Sequence, residues 1–76
     1  MTTTLIYADE IEVDDVIVMV TGYTPEPVTS SLVVQRIRKD DQGRVSAIAR
    51  NVETLELVHI DRVALDTLRI EERKLS

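Results

Sequence analysis

The sequence predicts an all-β domain, a small and partly open barrel of about five short strands, and three observations lead there. The apolar content is carried by Val, Ile and Leu, with eleven valines and only Tyr7 and Tyr23 as aromatics, and β-branched side chains favour extended backbone. Short apolar or alternating runs recur along the chain, separated by polar connections that hold its two glycines and two prolines. The chain has 76 residues, no cysteine and one histidine, which excludes a disulfide framework and a Cys/His zinc site. We therefore expect one domain, 1–76, ordered over roughly residues 8–70.

The first periodic segment is Ile11-Glu12-Val13-Asp14-Asp15 followed by Val16-Ile17-Val18-Met19-Val20. Alternation of Ile11 and Val13 with acids reads as a strand with one wet face. Five consecutive apolar residues read as a strand covered on both faces, either by the curl of a small barrel or by another subunit. Residues 21–31 follow as the longest loop, because Pro25 and Pro27 lack N–H donors and restrict their predecessors. Leu32 to Arg38 resumes as a strand, Lys39 to Arg44 supplies a turn in which Gly43 can take positive φ, and Val45 to Arg50 returns. Asn51 to Thr54 connects to a strand-like Leu55 to Ile60. Beyond Asp61, Leu68 and Ile70 flanking Arg69 suit a last strand, while Ala64, Leu65, Leu68 and Leu75 suit a short helix; we favour a strand through Ile70 and a frayed or helical tail.

This order, Ile11 to Val18, Val34-Gln35-Arg36-Ile37, a Gly-containing hairpin and Val45 to Arg50, resembles the SH3-like barrels of the KOW and elongation factor P amino-terminal type. The likeness spans roughly residues 8–70. Those families place a glycine before the Asp of the first strand pair, where this chain has Asp14. The resemblance implies the barrel and transfers no functional residue, since the hairpin tip here is Asp40-Asp41-Gln42-Gly43.

Net charge is −5, distributed unevenly. Residues 1–35 carry six acids and no Lys or Arg, residues 36–50 carry five bases against two acids, and residues 51–76 carry four bases against six acids. The basic group Arg36, Arg38, Lys39, Arg44 and Arg50 is the sharpest local signal, a hairpin able to follow a phosphate backbone. Cross-strand pairing with the acidic first strand is expected to neutralise much of it. Asp9, Glu10, Glu12, Asp14 and Asp15 lack the spacing of a calcium loop and read as a charged strand edge.

Catalysis finds no support in these residues. His59 is the one histidine, expected to be partly buried in its strand, and neither a nucleophile elbow nor a phosphate-binding glycine loop is present. We expect no enzyme, cofactor or metal, and a binding role served by Tyr23, Pro25 and Pro27 on the long loop toward a protein partner. The alternatives are a nucleic-acid-binding accessory factor using hairpin 36–50 and an acidic mimic of DNA.

A domain this small buries only about 60% of its unfolded surface, and without staples it gains from oligomerisation. We expect a homodimer with Val16, Ile17, Val18, Met19 or Val20 at the interface. No apolar run reaches membrane-span length and the amino terminus lacks a signal-peptide pattern, so a cytoplasmic protein is expected. Seven arginines against two lysines, with the valine excess, match G+C-rich coding, as in a high-G+C bacterium or a phage acting in its host's cytoplasm.

Overall fold

The computed structural model describes residues 2–23 and 25–73. It is all-β, with six antiparallel strands in one sheet that is not closed into a barrel. In chain order these are β1 (Thr3–Tyr7), β2 (Val16–Tyr23), β3 (Pro27–Lys39), β4 (Arg44–Asn51), β5 (Leu57–Val63) and β6 (Thr67–Glu71). A single 3₁₀ turn, Ala8–Glu10, follows β1, and no α-helix is present among the described residues. The sheet order is β1-β6-β2-β3-β4-β5.

Side chains of successive strand residues point to opposite faces, and one face makes the core. Ile17, Leu32, Val34 and Ile70 are its largest fully buried members, joined by Val45, Ala47, Ala49, Ile60 and Leu68. The register brings them together: Ile17 pairs with both Leu32 and Ile70, Val34 with Ala49, and Ala47 with Ile60. Small Ala47 and Ala49 on β4 accept the larger residues of its neighbours, as close packing requires. The carboxyl-terminal segment is the expected strand, with Leu68 and Ile70 inward and Arg69 outward; Leu75 lies outside the described residues.

Four expectations change. The strand read from Ile11 begins only at Val16, since Ile11 to Asp15 is a turn in which Asp14 has φ 77°. The Asp14 N–H donates to the Val34 carbonyl, and the Val34 N–H to the Asp15 carbonyl, so this turn delivers β2 to the middle of β3. Order also begins earlier than residue 8, because Thr3–Tyr7 forms β1 along β6. The long loop 21–31 is mostly strand: β2 continues through Tyr23 and β3 starts at Pro27, with Pro27 at the strand's first position where a missing N–H is tolerated.

The fourth concerns the Val16–Val20 run, which within one chain is not covered on both faces, leaving a second subunit as the other cover the run implied. Ile17 is buried and Met19 packs against the core, whereas Val16 and Val18 are half-buried on the outer face and Val20 is 47% exposed. The continuous apolar run hides an ordinary alternation.

Candidate interaction surfaces

Three features outside the core have defined geometry. The first is an arm. On one side β2 pairs with β6 only through Ile17 and Ile70, and β3 joins β4 only from Leu32 onward. Among the described residues the far ends of β2 and β3 therefore pair as strands only with each other, Val20 with Thr29, Gly22 with Val28 and Tyr23 with Pro27, with a bulge between Val20 and Gly22. Thirteen-residue β3 is long enough, at about 3.3 Å per residue, to run the length of a molecule whose longest extent is 40 Å. The arm ends in Tyr23, which is 73% exposed, with Val20 and Val28 each 47% exposed and Pro25 and Pro27 also at the surface. Tyr23, Pro25 and Pro27 are thus brought together, on a strand-borne tip rather than a long loop. Across residues 16–34 the single charged side chain is Glu26.

The second feature is the basic face of the β3–β4 hairpin. Arg36 and Arg38 on β3 point outward, opposite Ile48 and Ser46. A bulge between Val34 and Arg36 sets this phase. Arg44 and Arg50 project from the same face of β4, diagonal to Arg38 and Arg36 at the about 7–8 Å typical of such neighbours. Lys39 does not join them: it faces the other side and its ammonium donates to the Asp9 carbonyl. His59 sits beside Ile48 on this outer face, well exposed, with Nε2 3.6 Å from Asp61 Oδ1, and so is not the partly buried histidine expected. At the turn end a shallow groove of about 610 Å³ is lined by Arg38, Lys39, Arg44 and Arg62 together with Asp61 and Asp66.

The neutralisation expected from the acidic segment is not seen among the described residues, where Arg73 holds Asp15 and Glu12 instead. Its Nε donates to Asp15 Oδ1 (2.8 Å), one terminal nitrogen donates to Asp15 Oδ2 (2.6 Å) and the Glu10 carbonyl (2.9 Å), and the other lies 3.6 Å from Glu12. The Glu12 N–H also donates to Asp15 Oδ2. Burial pushes the Asp15 carboxyl up, but the hydrogen bonds from Arg73 and Glu12 and the Arg73 charge outweigh it and hold the group below the ordinary value. The same pairing raises Arg73. Sequence spacing held no sign of this fork, whose partners are 58 residues apart. Arg36, Arg38 and Arg44 keep side chains with no ion pair among the described residues.

The third feature is the β1 edge, which sequence reasoning missed. Leu5 is 57% and Tyr7 50% exposed there.

Among the described residues no three His, Cys, Asp or Glu side chains gather as a metal site. No protein family, curated protein or solved structure matches this chain.

Proposed function

We propose that the protein is a non-enzymatic β-sheet interaction module that engages a protein partner through the β2–β3 arm. The observation that carries this reading is the arm's composition. A two-stranded ribbon extending past its sheet is marginal in water, and surface apolar groups clustered on such a ribbon mark contact sites. Val20 and Tyr23 lie on one face of the arm and Val28 on the other, without the charges that normally protect exposed strands. Tyr23 offers a large apolar body with a polar tip, a residue type enriched at interface centres.

The SH3-like resemblance belongs to the same proposal. At the position where those families hold glycine, Asp14 adopts the left-handed backbone that glycine supplies without strain.

The test is photo-crosslinking from position 23 in cells or lysate of the source organism, compared with a Tyr23→Ser, Val28→Ser variant. Both positions are exposed, so the variant should melt like the parent. A discrete protein adduct that the variant cannot compete for supports the reading; equal competition by the variant removes the arm from it.

A second reading, nucleic-acid binding, is favoured by one observation: Arg36, Arg38, Arg44 and Arg50 share a face, on which Asp61 is an outward neighbour, with Asp40 and Asp66 at its turn end. Asp61 already accepts from the Ser46 hydroxyl. The two readings use different surfaces and separate on ionic strength.

A further inference from the structure

We propose that β1 is the self-association edge of this protein, pairing antiparallel with β1 of a second copy about a two-fold axis through Leu5. This is independent of the arm reading, since it uses the opposite border of the structure.

Among the described residues β1 is the terminal strand of the sheet, hydrogen-bonded as a strand to β6 alone. Which of its backbone groups face outward follows from the ladder. The Glu72 N–H donates to the Thr2 carbonyl and the Ala8 N–H to the Asp66 carbonyl, so even-numbered residues address β6. Antiparallel pairing alternates, which leaves the N–H and C=O groups of Thr3, Leu5 and Tyr7 facing away. The Tyr7 N–H confirms the phase, because it turns outward to Glu10 Oε1 at 2.9 Å. The N–H and C=O of Thr3 and Leu5 and the C=O of Tyr7 form an open template.

Natural edge strands carry lysine, proline, bulges or short length as protection. Thr3-Thr4-Leu5-Ile6-Tyr7 has no charge, no proline and no bulge. In a chain of net charge −5 two copies repel each other overall. β1 itself brings no charged side chain to this approach, and the Glu10 carboxylate at the Tyr7 N–H borders it.

The segment is also self-complementary. With Leu5 on the two-fold, Leu5 faces its own copy, Thr3 faces Tyr7, and Thr4 faces Ile6. These are the apolar, aromatic–β-branched and β-branched pairs that stabilise antiparallel strands. The hydrogen bonds agree with the phase: Leu5 exchanges N–H and C=O with its copy, each Thr3 N–H reaches a Tyr7 carbonyl, and each Thr3 carbonyl takes the Tyr7 N–H, which Glu10 releases as the strands pair. An isologous contact of this kind closes and does not propagate.

The experiment is sedimentation velocity across a concentration series on the whole chain, with Leu5→Lys and Leu5→Cys. The protein has no cysteine, so an introduced one reports only its own copy. Facing Cα atoms in a hydrogen-bonded antiparallel pair are about 5.5 Å apart, within disulfide reach. We expect a concentration-dependent dimer, monomer at every concentration for Leu5→Lys, and a disulfide dimer of Leu5→Cys that forms far faster than for Val20→Cys. Leu5 is exposed, so both variants fold, which circular dichroism checks. A parent that stays monomeric throughout, or a dimer that survives Leu5→Lys and is lost in Val20→Lys, overturns the proposal; the latter returns the interface to the outer face of β2.

Discussion

At Asp15 and Arg73 a single ion pair decides how the acidic segment behaves. The Asp15 side chain is only 5% exposed and Arg73 41% exposed, so the pair is half in water and its net value is modest. Its pH dependence has a definite sign. The folded-state carboxyl titrates below its ordinary value of 3.8, so its stabilisation is complete above that value and is lost as pH falls through the depressed folded value. Removing the guanidinium leaves burial opposed mainly by the Glu12 N–H. Arg73→Gln should therefore destabilise by about 1–3 kcal/mol at neutral pH and lose less stability than the parent on acidification. Urea melts at neutral pH and near pH 3 measure both; a variant with the parent's acid sensitivity contradicts this account.

The residue scale also shows where the sequence was and was not legible. The acids were read as a strand edge because alternation was the only visible signal. A left-handed Asp14 and a partner 58 residues away have no local signature. Leu55 is similar: it sits at φ 65°, 63% exposed, in a turn closed by Asn51, whose Oδ1 accepts from the Glu53 and Thr54 N–H groups.

Among the elements, hairpins with strong turn chemistry were the readable ones. Between β3 and β4, Asp40 Oδ1 accepts from the Gln42 and Arg44 N–H groups and Gly43 takes φ +81°, as polar turn residues and a glycine had suggested. The β2–β3 hairpin was misread because two prolines outweighed β-branched Val28 and Thr29, although Pro27 costs nothing at a strand's first position. β1 was missed since Thr3 to Tyr7 shows composition without alternation. The glycines test this distinction. Gly43→Ala should destabilise by about 1 kcal/mol through backbone strain alone, because an added Cβ meets nothing within 4 Å. Gly22→Ala meets nothing either and lacks positive φ, so it should be neutral or slightly stabilising by limiting the unfolded chain. Equal losses in thermal melts of the two would show that space, not φ, governs both.

For the whole molecule, the charge map matters more than the net charge. The basic residues read from the sequence share one face except for Lys39, but their lack of ion pairs was not legible, because the reading paired them with an acidic segment whose Asp15 and Glu12 are held by Arg73. Four arginines on one face, in a chain of net charge −5, make local attraction and global repulsion compete. Exposed aromatics for base stacking are absent from that face, where the outward neighbours are Ile48, Ser46, His59 and Leu57. Any nucleic-acid binding must then be electrostatic and indifferent to sequence, in the about 10⁻⁴ to 10⁻⁶ M range at physiological salt. If all four arginines neutralise a phosphate, log K should fall against log salt with a slope of about −3.6 on duplex DNA, and Arg36→Gln with Arg38→Gln should bring it to about −1.8. Fluorescence anisotropy on two unrelated duplexes over a salt series measures this directly. Equal affinity for the two, with the slope halved in the double variant, would establish the basic face as a weak backbone-following surface. Tight binding to one duplex alone would instead make nucleic-acid recognition the primary function, and a flat response at the lowest salt would leave the arm and the β1 edge as the surfaces that matter.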